Sequence, residues 1–259
     1  MSDTKEINYF NIHHDEPDTW YSRFFEGSEK YTAIGEASPL YMWDPDVAER
    51  MHSLIPAAQL LFVLRDPVDR AYSNYWFNRA RGAQDPSVGF AEAIRTEDGY
   101  HRYVSKGFYD TMLERYWERF GRNQIKVVVS ERLRSDVQAT MKDVFDYLGV
   151  DPSVSLESTG PRNVTRYPKN ALIGTALYRL SSTWKSILKR TPEPVKAPFR
   201  GLKVVAEDIL FDTPGGEVER PPLGEEARDY LNEVYADEFA ALTERLDMKI
   251  PEWSVSRAC

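Results

Sequence analysis

With 259 residues, 42% hydrophobic and 29% charged, the chain can bury one substantial α/β core, and its composition excludes a disordered polymer. A formal net charge of -8 argues against a general nucleic-acid or anionic-membrane binder, and leaves a polyanionic ligand only a local cluster of Arg and Lys. The single cysteine is the last residue, Cys259, so no intrachain disulfide is expected. The chain shows no run of about 18 apolar residues and no basic-then-apolar leader, so the expectation is a cytoplasmic protein without a membrane span.

The first strong element is Gln59–Leu64, QLLFVL, a continuous apolar run that predicts a buried parallel strand. Arg65-Asp66-Pro67 follows at once. Asp66 suits an N-cap and Pro67 the first helical position, where its missing N–H costs nothing, so a helix is expected from Pro67 to Arg81. Tyr109, Met112, Leu113, Tyr116, Trp117 and Phe120 recur at helical spacing, with Gly121 as the stop. A strand is expected over Ile125–Val129. A helix from Asp136 to Leu148 follows, with Val137, Met141, Val144, Phe145 and Leu148 on one face and Gly149 closing it.

This alternation predicts a parallel sheet covered by helices on both faces. From Ser153 to Gly216 the pattern weakens around Pro192, Pro194, Pro198 and Pro214. Long loops around a helix near Ala171–Leu188 are expected there, and no separate domain. An amphipathic helix, Gly224–Leu246, ends the pattern, with Ala227, Tyr230, Leu231, Val234, Tyr235, Phe239, Leu242 and Leu246 as its buried stripe.

The local signal that carries chemistry is Leu64 to Ser73, LRDPVDRAYS. Arg65 leaves the carboxyl end of a predicted strand, the edge of an open α/β sheet where ligands bind. Ser73 lies roughly 10 Å along the helix at 1.5 Å per residue, too far in to cap it. A guanidinium fork and a hydroxyl so placed suit a phosphate beside the first two helical turns. On spacing alone the blander reading is the stronger one: Arg65 pairs with a structural carboxylate and Ser73 sits idle on its helix.

Several motifs in order change that balance. Leu61–Asn74, LFVLRDPVDRAYSN, resembles the 3′-phosphate-binding segment of sulfotransferases that use 3′-phosphoadenosine-5′-phosphosulfate (PAPS). The likeness is greatest to the branch holding the heparan sulfate N- and 3-O-sulfotransferases and their bacterial relatives. Gly35–Tyr41 (GEASPLY) is similar to that family's strand and turn. Gly107-Phe108-Tyr109, Ile125–Val129 with Glu131-Arg132-Leu133, and Leu148-Gly149-Val150 match its later stretches, and the terminal helix and Trp253 fit loosely.

The resemblance implies a single sulfotransferase domain over residues 1–259, α/β in class. The expected architecture is a parallel sheet flanked by helices, in a P-loop nucleotide-kinase-like fold lacking its first strand and loop. Arg65 and Ser73 then become the 3′-phosphate contacts. Arg162 and Arg166 become second contacts from a basic loop, for which a plain solvated loop is an equal reading.

Lys5-Glu6-Ile7-Asn8-Tyr9-Phe10 looks like the segment that carries the family's catalytic base, which maps onto Glu6. Without the resemblance, Glu6 reads as a solvated carboxylate near a frayed terminus. Lys5, Asn8 and Ser38 are the expected substrate contacts. Asn8 and Asn11 replace a His and an Asp, and Ala37 a Lys, which bears on the acceptor more than on the donor. The family's phosphosulfate loop has no match before Lys5 and no Gly-rich equivalent later. The chain is therefore expected to be N-terminally incomplete relative to the family, or to have lost the donor half of its site.

Arg70 reads as structural, beside Asp66 or Asp69. His13 and His14 read as surface or acceptor-cleft residues, with no spacing for a metal site. The implied reaction moves a sulfuryl group from PAPS to a hydroxyl or amine of a carbohydrate or small molecule, with no metal. The alternative is a catalytically inactive nucleotide- or partner-binding remnant. A P-loop kinase would need a Gly-rich loop and Mg²⁺-holding residues, and neither is found. The resemblance leaves the acceptor and the oligomeric state open.

Overall fold

The computed structural model describes residues 2, 4–154, 156 and 221–257. They fall into two compact units. The first holds the described residues within 1–66, 108–158 and 235–259, and the second those within 67–107 and 159–234. The principal elements are, in chain order, α1 (Asp18–Ser22), α2 (Val47–Leu54), β1 (Leu60–Leu64), α3 (Pro67–Ala80), α4 (Tyr109–Trp117), β2 (Ile125–Val129), α5 (Val137–Leu148) and α6 (Glu225–Leu246). None of the described helices is long and apolar enough to cross a membrane.

In the first unit, β1 (LLFVL) and β2 (IKVVV) pair in parallel, with Leu60 opposite Ile125 and Leu64 opposite Val129. Their β-branched and apolar side chains suit a pleated, half-buried surface. The Tyr147 hydroxyl of α5 places its one proton between the Gln124 carbonyl at 2.5 Å and the Leu60 carbonyl at 3.2 Å, clipping the helix to the strand starts. One expectation is corrected. The apolar run does not bury both faces of β1: Leu60 and Leu64 are buried, whereas Leu61 is 42% and Val63 53% exposed. Successive strand residues point to opposite faces, and among the described residues only one face of β1 meets the core.

Helix α5 begins and ends as its termini require. The Asp136 carboxylate accepts the Ala139 N–H at 2.9 Å, and Gly149 closes the helix at φ 67°, a left-handed position that glycine occupies without Cβ strain. Replacing Asp136 by Ala is expected to lower stability by about 1 kcal/mol. The check is the urea midpoint at unchanged slope, and an unmoved midpoint would remove the cap from the account.

Helix α4 buries Tyr109, Met112, Leu113 and Tyr116 at helical spacing. Tyr116 and Phe120 join Ile7, Tyr9, Phe10, Tyr21, Tyr41, Met51 and Leu60 in one core cluster. Full burial of each large apolar side chain contributes roughly 1.5–3 kcal/mol. Where β1 and β2 end, Glu131 ties the C-terminal segment down. Its Oε2 accepts the indole N–H of buried Trp253 at 3.0 Å, and its Oε1 accepts the Asp66 N–H at 3.3 Å. The Asp66 carboxylate in turn accepts the Ser254 N–H at 2.5 Å.

In the second unit, α3 buries Val68, Ala71, Tyr75 and Ala80. Residues Tyr100–Val104 form a π-helical turn, rare because its wider ring leaves weaker backbone bonding. Two side chains from α3 take up its carbonyls. Arg70 Nη2 donates to Tyr103 O at 2.5 Å and Asn74 Nδ2 to Arg102 O at 3.2 Å. Arg70 therefore does structural work through this turn. Burial, then the charges of Arg70 and Arg102, hold the Lys106 ammonium below the usual lysine range. The helix expected near Ala171–Leu188 and its surrounding loops lie outside the described residues.

Candidate active site

The Lys5–Phe10 segment is anchored by its apolar residues. Ile7, Tyr9 and Phe10 are 3%, 5% and 2% exposed, so this stretch is not a frayed terminus. Tyr9 stacks on Tyr21 at a centroid distance of 4.6 Å, and Phe10 meets Tyr21 and Tyr41 edge-on at 5.2 and 5.6 Å. The Arg50 guanidinium donates to the Phe10 carbonyl at 3.0 Å. With these side chains drawn inward, Lys5 and Glu6 are left exposed.

The backbone at this point is strained. Glu6 has φ 54° and Asn8 φ 53°, both in the left-handed region. Asn tolerates that conformation through local side-chain bonding, and its Nδ2 donates to the Glu6 carbonyl at 2.7 Å. A glutamate there costs about 1–2 kcal/mol. Such strain persists only where surrounding structure over-determines it, and it clusters at active sites.

The over-determination comes from residues 36–41. The Glu6 N–H donates to Ala37 O at 3.2 Å and the Asn8 N–H to Ser38 Oγ at 3.1 Å. Ser38 Oγ donates in turn to Glu36 Oε2 at 2.6 Å. The other carboxylate oxygen of Glu36 accepts the hydroxyls of Tyr41 at 2.8 Å and Tyr21 at 3.2 Å. Burial first, then the neighbouring Glu36 charge, push both phenols above the usual tyrosine range and keep them protonated donors. Tyr41 OH also accepts the Phe10 N–H at 3.4 Å.

Of the strand and turn that the resemblance implies for Gly35–Tyr41, the turn forms and the strand does not. Isolated bonds to residues 2–8 replace a ladder, and Pro39 at its first position opens a 3-10 turn, Pro39–Trp43. The structure thus brings Glu6, Asn8 and Ser38 together, with Lys5 adjacent in the chain. Asn8 is buried, and its Oδ1 has no hydrogen-bond partner among the described residues. Ser38 gives its proton to Glu36 and accepts the Asn8 N–H, so its hydroxyl is engaged within the site.

Glu36 is the member that sequence reasoning passed over. Its signal was present in GEASPLY, where two hydroxyl residues, Ser38 and Tyr41, stand within five positions of one carboxylate. His13 packs against the Trp20 ring at 4.9 Å, and His14 Nδ1 bonds Asn11 O at 2.8 Å.

Arg65 belongs to the first unit and directly follows β1. It is half-buried, and its carbonyl accepts the Tyr109 hydroxyl at 3.0 Å, which fixes the backbone at the strand's carboxyl end. Ser73 belongs to the second unit, half-buried on α3 and three residues beyond Arg70, so the two share a helix face. Arg162 and Arg166 lie outside the described residues.

Two parallel strands packed with helices define an α/β unit, and Arg65 stands at the carboxyl end of its first strand. Its class is sharpened by comparison with known proteins. A profile of the sulfotransferase family matches residues 4–153, and the chain belongs to that family. It is similar to bifunctional heparan sulfate N-deacetylase/N-sulfotransferase 4 of Mus musculus, 26% identical over 266 residues that cover 96% of this chain and 27% of that protein. Against the N-deacetylase/N-sulfotransferase 1 of the same organism it is 32% identical over 170 residues, 60% of this chain and 19% of that one. The chain spans about a quarter of the length of the first of these relatives. A solved sulfotransferase from Alicyclobacillus acidocaldarius superimposes with a TM-score of 0.66 at 20% identity, covering 97% of this chain and 87% of its own. The fold is the α/β sulfotransferase fold.

Proposed function

We propose that the chain transfers a sulfuryl group from PAPS to an amine or hydroxyl of a carbohydrate acceptor, with Glu6 as the general base. The observation that carries this reading is the exposed Glu6 carboxylate, held at φ 54° above a buried aromatic core in a chain of the sulfotransferase family. In the reaction the acceptor nitrogen or oxygen forms a bond to sulfur. The bond from sulfur to the bridging phosphate oxygen breaks, the acceptor proton passes to Glu6, and 3′-phosphoadenosine-5′-phosphate leaves. Positioned cations and amides suffice to stabilise the transferring group, so the proposal invokes no metal.

Arg65 and Ser73 are assigned to the 3′-phosphate by the resemblance of LFVLRDPVDRAYSN, and Lys5 and Asn8 to the acceptor side. A carbohydrate is favoured because the relatives are named for N-sulfation of heparan sulfate.

The test is transfer of ³⁵S from labelled PAPS, by this chain and by a version extended upstream of Met1. The acceptors are an N-deacetylated heparan chain with free amines and the same chain with its amines blocked. Label in the free-amine polymer is the expected result, and label in both would assign hydroxyls as well. Donor binding without turnover in either protein would select an inactive nucleotide-binding module, and failure to bind PAPS in both would overturn the proposal.

A further inference from the structure

We infer that Glu36 is the positioning residue of this site, acting through Ser38 and Tyr41 to hold the strained turn that presents Glu6; the inference rests on Glu6 being the base. Three hydroxyls, from Tyr21, Ser38 and Tyr41, converge on one carboxylate at 3.2, 2.6 and 2.8 Å. An ionised carboxylate only accepts, so each hydroxyl must aim its proton at Glu36 and turn its lone pairs elsewhere. For two of them, elsewhere is the backbone of the base-bearing segment. Ser38 Oγ receives the Asn8 N–H at 3.1 Å and Tyr41 OH the Phe10 N–H at 3.4 Å.

One carboxylate thereby orients two acceptors for the amides just past Glu6. The Glu6 N–H itself is fixed on Ala37, the residue between Glu36 and Ser38. With their protons held on Glu36, both hydroxyls keep their lone pairs turned to the two amides, adding a restraint on the left-handed angles at Glu6 and Asn8. In this account Glu36 acts through the three hydroxyls it accepts and takes no part in the proton transfer.

Glu36→Gln keeps the shape but turns one oxygen into a donor, so at least one hydroxyl loses its acceptor. Ser38→Ala removes only the branch to Asn8. Both are measured alone and in a Glu6→Gln background, by steady-state kinetics and by amide hydrogen exchange. The expected result is a kcat about 10–100-fold lower for Glu36→Gln with the KM for PAPS unchanged, since small misplacement of a reacting group costs on that scale. In the Glu6→Gln background neither second substitution should lower kcat further. In Ser38→Ala, exchange at the Asn8 amide should quicken by about tenfold, the effect of one lost hydrogen bond, while amides in α5 stay unchanged.

Independent, multiplying losses in the double variants would show a merely structural role and overturn the inference. So would unaltered exchange at Asn8 and Phe10. If Glu6→Gln alone leaves kcat intact, the base assignment fails and the positioning role falls with it. Faster exchange at Asn8 in that case would mark the hydrogen-bond chain as real but the assigned base as wrong.

Discussion

Replacing Glu6 by Gln should lower kcat about 10²–10⁴-fold while leaving the PAPS dissociation constant unchanged, the range spanned by loss of a positioned general base. Gln keeps the size and the hydrogen-bonding reach of the side chain but cannot take a proton from an attacking amine or alcohol. The local backbone supplies a second, independent expectation. Glu6 sits at φ 54°, where glycine carries none of the steric cost that a side chain brings. Glu6→Gly should therefore raise stability by up to about 1 kcal/mol, offset in part by glycine's greater freedom in the unfolded chain. A variant that melts higher and turns over far more slowly is the signature of strain kept for function. Wild-type kcat in Glu6→Gln would end the base assignment, and a lower melting temperature in Glu6→Gly would end the strain argument.

Replacing Arg65 by Ala should weaken PAPS binding by about 2–3 kcal/mol, roughly 30–150-fold, the scale of a charge-assisted hydrogen bond. Arg65→Lys keeps the charge but loses the planar two-pronged donor, so it should recover only part of that loss. Calorimetry with 3′-phosphoadenosine-5′-phosphate and with its analogue lacking the 3′-phosphate separates the causes. The substitution should matter for the first ligand and hardly for the second. Equal losses for both would place Arg65 away from the 3′-phosphate. Binding unchanged for either would return Arg65 to the role of a structural charge at a strand end.

The helices were legible wherever the chain states its own boundaries. The Asp66-Pro67 pair marks the start of α3, and Asp136 with Gly149 brackets α5 within a residue of where it stands. The stripe Ala227, Leu231, Tyr235, Phe239 and Leu242 is the buried side of α6. Each signal is local: a cap, a proline at the first turn, or a spacing of three and four. The strand β1 was legible in position but not in environment. LLFVL reads alike whether one face or two are covered, and only the structure shows Leu61 and Val63 in solvent. Of the strand and turn that the resemblance implied for Gly35–Tyr41, only the turn forms, because residues 2–8 offer that segment isolated partners and no ladder.

By itself, the sequence determined the family, the residue types available at each motif, and the helices whose ends it caps. It could not determine that Ile7, Tyr9 and Phe10 would sink into the same core as Tyr116 and Phe120. Nor could it determine that Ser38, thirty residues downstream, would hold Asn8 in a left-handed turn. Those outcomes depend on hydrogen bonds and apolar contacts between distant stretches, whose worth appears only once the chain has closed the loop between them. The tertiary structure decided them, and with them the orientation of the one exposed carboxylate to which the proposed chemistry is assigned.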